Sequence, residues 1–309
     1  MSKGLHRFTV FVTGATLLLI VAGALVTSHD AGLATNDWPL SNGQVFPEMV
    51  GNLFWEHGHR MVATSVGILV IILNIWLWRS EKRVWVRRLG LVALIAVIAQ
   101  GLLGGLTVKM MLPLAVSSAH ATLAQLFFCT MVSLSVFTSP GWSEPRQSLD
   151  EKGSVSLRYL AVAAAASILI QLVLGATLRH SATWDQYLPT SLLLTHLGGA
   201  LAVLLVLGST VFTAIRRYAG ETYLTRPARF AATLLVVQLT LGLAAYLTRL
   251  ASPSSPQPRN PMVGITVAHV ACGALVFAAT IVLALRAFRV LSGERANASS
   301  YQRLSAELN

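Results

Sequence analysis

The stretch from Gln100 to Phe137, QGLLGGLTVKMMLPLAVSSAHATLAQLFFCTMVSLSVF, decides the fold. It contains the end of one long apolar run and the whole of another, separated by a short turn around Lys109 and Pro113. A run of about 20 apolar residues is what a helix needs to cross roughly 30 Å of hydrocarbon. The first run carries Gln100 and Gly104 one helical turn apart, and the second opens with His120. A pair of membrane-crossing helices with a histidine just inside the second one is therefore the unit to look for elsewhere.

Composition agrees with that unit. Of 309 residues, 54% are hydrophobic and 11% are charged, and the mean hydropathy is +0.65. These values exclude an ordinary water-soluble domain. The formal net charge of +11 does not signal nucleic-acid binding, because the basic residues sit in short segments between apolar runs rather than on one face. Apolar runs fall near 8–27, 57–78, 86–108, 115–137, 157–178, 191–215, 228–248 and 263–288, so both termini lie on one side. The first run, Phe8 to Thr27, has no small-residue cleavage site after it and reads as an uncleaved first helix. Lys and Arg number 18 in the termini and even connections against four in the odd ones, Lys109, Arg179, Arg249 and Arg259. Positive residues are retained in the cytoplasm, which predicts cytoplasmic termini in a cell-membrane, multi-pass protein. Cys129 and Cys272 lie inside apolar runs and read as small buried hydrophobes rather than a disulfide or thiolate metal site.

The unit recurs. Gln100-Gly-Leu-Leu-Gly104, Gln171-Leu-Val-Leu-Gly175 and Gln238-Leu-Thr-Leu-Gly242 mark the third, fifth and seventh helices, and the first keeps only Gly23. Each even helix opens with histidine: His57 and His59, His120, His196, His269. The expected fold is an all-α integral membrane protein whose eight transmembrane helices form two four-helix bundles related by a pseudo-twofold axis along the membrane normal. The halves run over 1–140 and 157–309, joined by a polar cytoplasmic linker, 141–156, that reads as a hinge.

An ionisable side chain within a membrane span defaults to a functional reading. A single histidine is equally well explained by a hydrogen bond to a neighbouring helix, but four at equivalent depth point to a shared role. Neutral imidazoles in a low-dielectric bundle, three of them without a neighbouring carboxylate or thiolate, suit haem iron. A bis-histidine haem takes one imidazole from each of two facing helices, which each half supplies. Small residues after the histidines, such as Ala121, Gly198 and Ala271, let a flat macrocycle lie against the helix and also serve ordinary helix packing. Lys109, Arg179 and Arg249 are open to two readings, partners for haem propionates or snorkelling interfacial anchors.

The halves differ in chemistry. In Trp55-Glu56-His57-Gly58-His59-Arg60, Glu56 is three before His59 and four before Arg60, so the three share a helical face while His57 points away. No acid stands equivalently beside His120, His196 or His269. The N-terminal half is thus the candidate for chemistry; the structural alternative is that Glu56 only pairs with Arg60. The connection from His29 to Trp55, with Asp37-Trp38-Pro39-Leu40 and no Lys or Arg, reads as an interfacial lid over that half.

Across essentially its whole length the chain resembles the haem A synthase family. The resemblance rests on Glu56-His57-Gly58-His59-Arg60, the four histidine-bearing helices, the Gln-x-x-x-Gly repeats and Asp37-Trp38-Pro39-Leu40-Ser41-Asn42-Gly43. It implies a membrane oxidoreductase that converts haem O to haem A for terminal oxidases, by two hydroxylations of one methyl group and loss of water from the resulting diol. It further implies that His59 and His120 flank substrate haem O, that His196 and His269 ligate a haem b cofactor, and that Glu56 is catalytic. Expected partners are haem O synthase, cytochrome oxidase assembly factors and an electron acceptor, with no nucleic acid. Many bacterial members of that family carry two cysteines in the first outward loop, where this chain has Thr35, Asn36 and Ser41, so a loop disulfide or thiol is unavailable to it.

Two other classes compete. A di-haem b-type cytochrome for electron transfer would use all four histidines as plain ligands and give Glu56 no special role. A transporter or haem carrier on the same repeats would retain little tightly bound haem.

Overall fold

A computed structural model describes residues 3–181, 189–250 and 260–292. Arg259, Arg295 and Arg303, counted in the charge asymmetry, lie outside them. Eight helices are present among the described residues: α1 (Lys3–Ser28), α2 (Gly51–Ser80), α3 (Val84–Lys109), α4 (Leu114–Phe137), α5 (Leu157–Ser181), α6 (Thr190–Arg217), α7 (Thr222–Leu250) and α8 (Asn260–Val290). All eight are long and apolar enough to cross a membrane, so the expected all-α, multi-pass membrane class holds. Hydrocarbon offers the backbone no hydrogen-bond partners, and the helix satisfies every group internally. Large apolar side chains such as Phe11, Leu18, Ile95, Leu205 and Val236 face outward, as a lipid-solvated surface requires.

The helices run past the apolar windows because polar first turns still hydrogen-bond along the axis. Two extensions matter. α2 begins at Gly51, whose φ is +54°, so the first connection ends at Val50 rather than Trp55 and Glu56 lies inside the helix. α7 begins at Thr222, ahead of Pro227, where the sequence predicts its start only at 228. Proline within a helix leaves the carbonyl four residues back without its N–H partner. That carbonyl, of Tyr223, instead accepts from Arg286 Nη1 at 3.2 Å.

Within the first half, α1 packs on α2, α2 on α3, α3 on α4 and α4 back on α1; α5 to α8 close the same ring. Thr13 of α1 and Ser135 of α4 hydrogen-bond at 2.8 Å across the first closure. The rings meet through α1 on α8, α4 on α5, and α4 on α8. Exchanging the halves turns the first two contacts into each other and leaves the third unchanged, so the packing fits the pseudo-twofold arrangement. Ile20, Phe128 and Cys129 of the first half share a core with Ile168, Leu207, Cys272 and Phe277 of the second.

The polar segment between the halves is fastened rather than free. Leu149–Asp150 pairs in parallel with Leu291–Ser292, Arg217 Nη1 donates to Lys152 O at 2.9 Å and Val155 O at 2.8 Å, and Arg289 Nη2 donates to Gly141 O and Glu144 O. A hinge reading does not suit a segment tied in this way to α6 and α8.

Candidate functional site: paired histidines on glycine seats

Each even-helix histidine rests on the glycine of the preceding odd helix. A Cβ added at Gly23 would stand 3.1 Å from His59 Cε1, at Gly104 3.2 Å from His120 Cε1, at Gly175 3.0 Å from His196 Cε1, and at Gly242 2.9 Å from His269 Cε1. The missing side chain is what lets each imidazole bring its Cε1 up to the neighbouring helix. The glutamines one turn earlier clasp the same helix pairs. Gln100 Nε2 donates to His120 O and Gln171 Nε2 to His196 O, both at 2.9 Å, and Gln238 Nε2 lies 3.3 Å from His269 Nε2. α1 has Leu19 at the equivalent position, so His59 alone lacks an amide clasp.

His59 lies within electrostatic reach of His120, and His269 within reach of His196. His59 Nδ1 and His120 Nδ1 are buried without a hydrogen-bond partner among the described residues, the state of a nitrogen whose environment is completed by something else. Imidazoles on glycine seats fit haem, and His59 and His120 add an unpartnered ring nitrogen each, whereas the ring nitrogens of His196 and His269 contact Gln171 and Gln238; His59 with His120 would hold one macrocycle and His196 with His269 another. His180, in the last turn of α5, is within electrostatic reach of His120, and no repeat signal points to it. The glycine seats were visible as a repeat, but nothing in the sequence said what they carry.

Glu56 and His57 both serve the connection between α1 and α2. Glu56 is buried; its Oε1 pairs with Arg60, and its Oε2 accepts from the Thr35 backbone N–H at 3.1 Å. Arg60 reaches further, donating to Asp37 O at 3.0 Å, Leu40 O, Ser41 Oγ at 3.1 Å and Thr35 Oγ1 at 3.3 Å. His57 Nδ1 lies 2.8 Å from Ser41 Oγ and its Nε2 3.1 Å from Val45 O, which accounts for its ring pointing away from His59. The loop is thus held by polar contacts to Thr35 and Ser41. Its other anchors are Trp38, whose ring would be 2.7 Å from a Cβ at Gly105, and Lys109 Nζ, 3.3 Å from Asn36 O. His29 stacks on Trp55 with ring centroids 4.1 Å apart, and burial lowers its pKa. Asp37 accepts from Gly43 N at 2.8 Å and Asn42 N at 3.0 Å, and these bonds hold its carboxyl below the ordinary range despite an opposing burial effect.

Of the outward cations, Lys109 binds the loop backbone and Arg179 Nη2 donates to Thr27 O at 2.8 Å. Arg179 therefore joins the C-terminal end of α1 to α5, where a cation also complements the helix dipole.

Among the described residues, the fold is eight helices long and apolar enough to cross a membrane, with a glycine-seated histidine on each even one. A family model described as cytochrome oxidase assembly protein matches residues 48–191. Proteins named heme A synthase are similar along most of the chain. The one from Geobacillus kaustophilus is 26% identical over 81% of this chain and 84% of its own. Those from Shouchella clausii and Symbiobacterium thermophilum are 28% and 29% identical, over 80% and 78% of this chain and 88% and 85% of theirs.

Proposed function

We propose that this chain is a haem A synthase, a membrane oxidoreductase that oxidises a methyl group of haem O to the formyl group of haem A for cytochrome oxidase assembly. The observation that carries the reading is the asymmetry between two otherwise matched imidazole pairs. In the N-terminal pair His59 has a buried carboxylate one turn away at Glu56, and neither His196 nor His269 has one along its helix. In this reading residues 1–140 form the substrate half and 157–309 the cofactor half, with both termini in the cytoplasm.

His59 and His120 would position haem O between α2 and α4, each imidazole packed on its own glycine, Gly23 or Gly104. His196 and His269 would hold haem b, which when bound supplies a one-electron redox centre close to the substrate half. Glu56 sits at the outward end, where it can hold a proton once released from Arg60 or the Thr35 N–H. The loop above it excludes water from the N-terminal pair, which strengthens every charge interaction within. The likeness to heme A synthases supports haem O as substrate, and an electron acceptor and haem O synthase are expected partners.

One observation favours the di-haem cytochrome instead: both oxygens of Glu56 are already engaged in loop contacts. The test is to purify the protein from membranes, supply haem O, and identify extracted haems by chromatography and mass. Haem B with haem O, a hydroxylated intermediate or haem A supports the synthase. Haem B alone supports the cytochrome, and no haem removes both.

A further inference from the structure

At the terminus-bearing end of the bundle, opposite the histidines, arginines from three elements converge on one tyrosine. Arg146, from the segment between the halves, stands 3.9 Å over the Tyr223 ring, with Arg286 at 4.7 Å and Arg289 at 5.8 Å. Arg226, one turn along α7 from Tyr223, is within electrostatic reach of Arg286. Their placement is built. Pro227 frees the Tyr223 carbonyl that Arg286 occupies, and Arg289 donates to the Tyr223 hydroxyl at 2.8 Å and to two carbonyls of the connecting segment.

The four arginines form no ion pair among the described residues, where the pairs are Arg60–Glu56, Arg83–Glu81 and Arg158–Glu151. A cavity of about 130 Å³ opens beside them, lined by Arg146, Gln147, Tyr223 and Leu224, with Glu221 as its one acidic lining residue. Arg146 lines the cavity together with Glu221, while Arg286 and Arg289 flank the Tyr223 ring beside it, and guanidinium groups gathered this closely repel one another. Guanidinium forks match phosphate oxygens, and basic pockets at helix ends on the cytoplasmic side suit phosphate headgroups.

We propose that this cavity binds a phosphate-bearing anion, either the headgroup of an anionic phospholipid or free phosphate, which ties the segment between the halves to α7 and α8. The inference stands apart from the reaction at the histidines.

The test places the purified full-length protein in nanodiscs of phosphatidylcholine, with or without phosphatidylglycerol. A second arm adds inorganic phosphate against chloride at equal ionic strength. Thermal unfolding and retained lipid by native mass spectrometry are read for wild type, Arg146→Gln, Arg226→Gln and the control Arg88→Gln. Arg146, Arg226 and Arg88 are all exposed, so folding is not at stake. Each cluster substitution should weaken the response about fivefold, and Arg88→Gln should leave it intact. A response to phosphatidylglycerol alone identifies the lipid, and one to inorganic phosphate identifies the free anion. No response in either arm, or an equal loss in Arg88→Gln, overturns the proposal.

Discussion

Gly242 and the His269 imidazole approach more closely than a side chain at position 242 would permit: a Cβ there would lie 2.9 Å from His269 Cε1. The same relationship recurs in all four helix pairs, so it is the structural unit behind the repeat seen in the sequence.

Gly242→Ala should therefore lose cofactor although alanine favours helix by about 1 kcal/mol over glycine. His269 would have to move off its seat. Haem retained per protein, measured as the pyridine haemochromogen, should fall several-fold, while Gly264→Ala on α8, where a Cβ meets nothing within 4 Å, should leave it unchanged. Equal retention in both variants would show that the seat is not needed.

His196→Ala or His269→Ala should remove most of the haem b absorbance, and His59→Ala or His120→Ala should abolish haem A formation while sparing that absorbance. A full haem b spectrum in His196→Ala would refute the assignment of that pair.

Glu56→Ala should stop haem O conversion and leave haem b in place. It also strips Arg60 of its ion-pair partner and Thr35 of an acceptor. Arg60→Lys keeps the charge but cannot span Asp37, Leu40, Ser41 and Thr35 together. A charged hydrogen bond contributes about 1.5–3 kcal/mol, so limited proteolysis within 29–50 should accelerate in Arg60→Lys. Unchanged cleavage would mean that the loop is held by Trp38 and the His29–Trp55 stack.

The loop should also loosen in acid. The Asp37 carboxyl is held below its ordinary value of 3.8 by the Gly43 and Asn42 amides. A depressed folded-state pKa contributes stability that is fully present above the unfolded value and is lost as pH falls through the folded one. Hydrogen exchange at Asn42 and Gly43 should rise over that acid range in wild type, and Asp37→Asn should flatten the dependence. A dependence that survives in Asp37→Asn would assign it to another group.

Much of the fold was legible because membrane insertion constrains sequence so strongly. Runs such as Leu157 to Leu178 had to be helices, since no other backbone arrangement satisfies its polar groups in hydrocarbon. The start of α7 was not legible, because Pro227 reads as a boundary until Arg286, about 60 residues away, is seen to take the carbonyl it frees. The polar connection 138–156 likewise read as a hinge, and only its pairing with Leu291–Ser292 and its bonds to Arg217 and Arg289 show it fastened.

By itself, the sequence determined the number of helices, the repeat of glycine and histidine, and the singular carboxylate at Glu56, because these follow from local hydropathy and spacing along one chain. The tertiary structure alone decided that each glycine is a seat for a particular imidazole, that Glu56 and Arg60 clasp the loop at Thr35 to Ser41, and that four arginines gather at Tyr223. Those relations depend on which helix faces differ by a few ångströms across a packed interface, and residues far apart in the chain meet there only once the rings have closed.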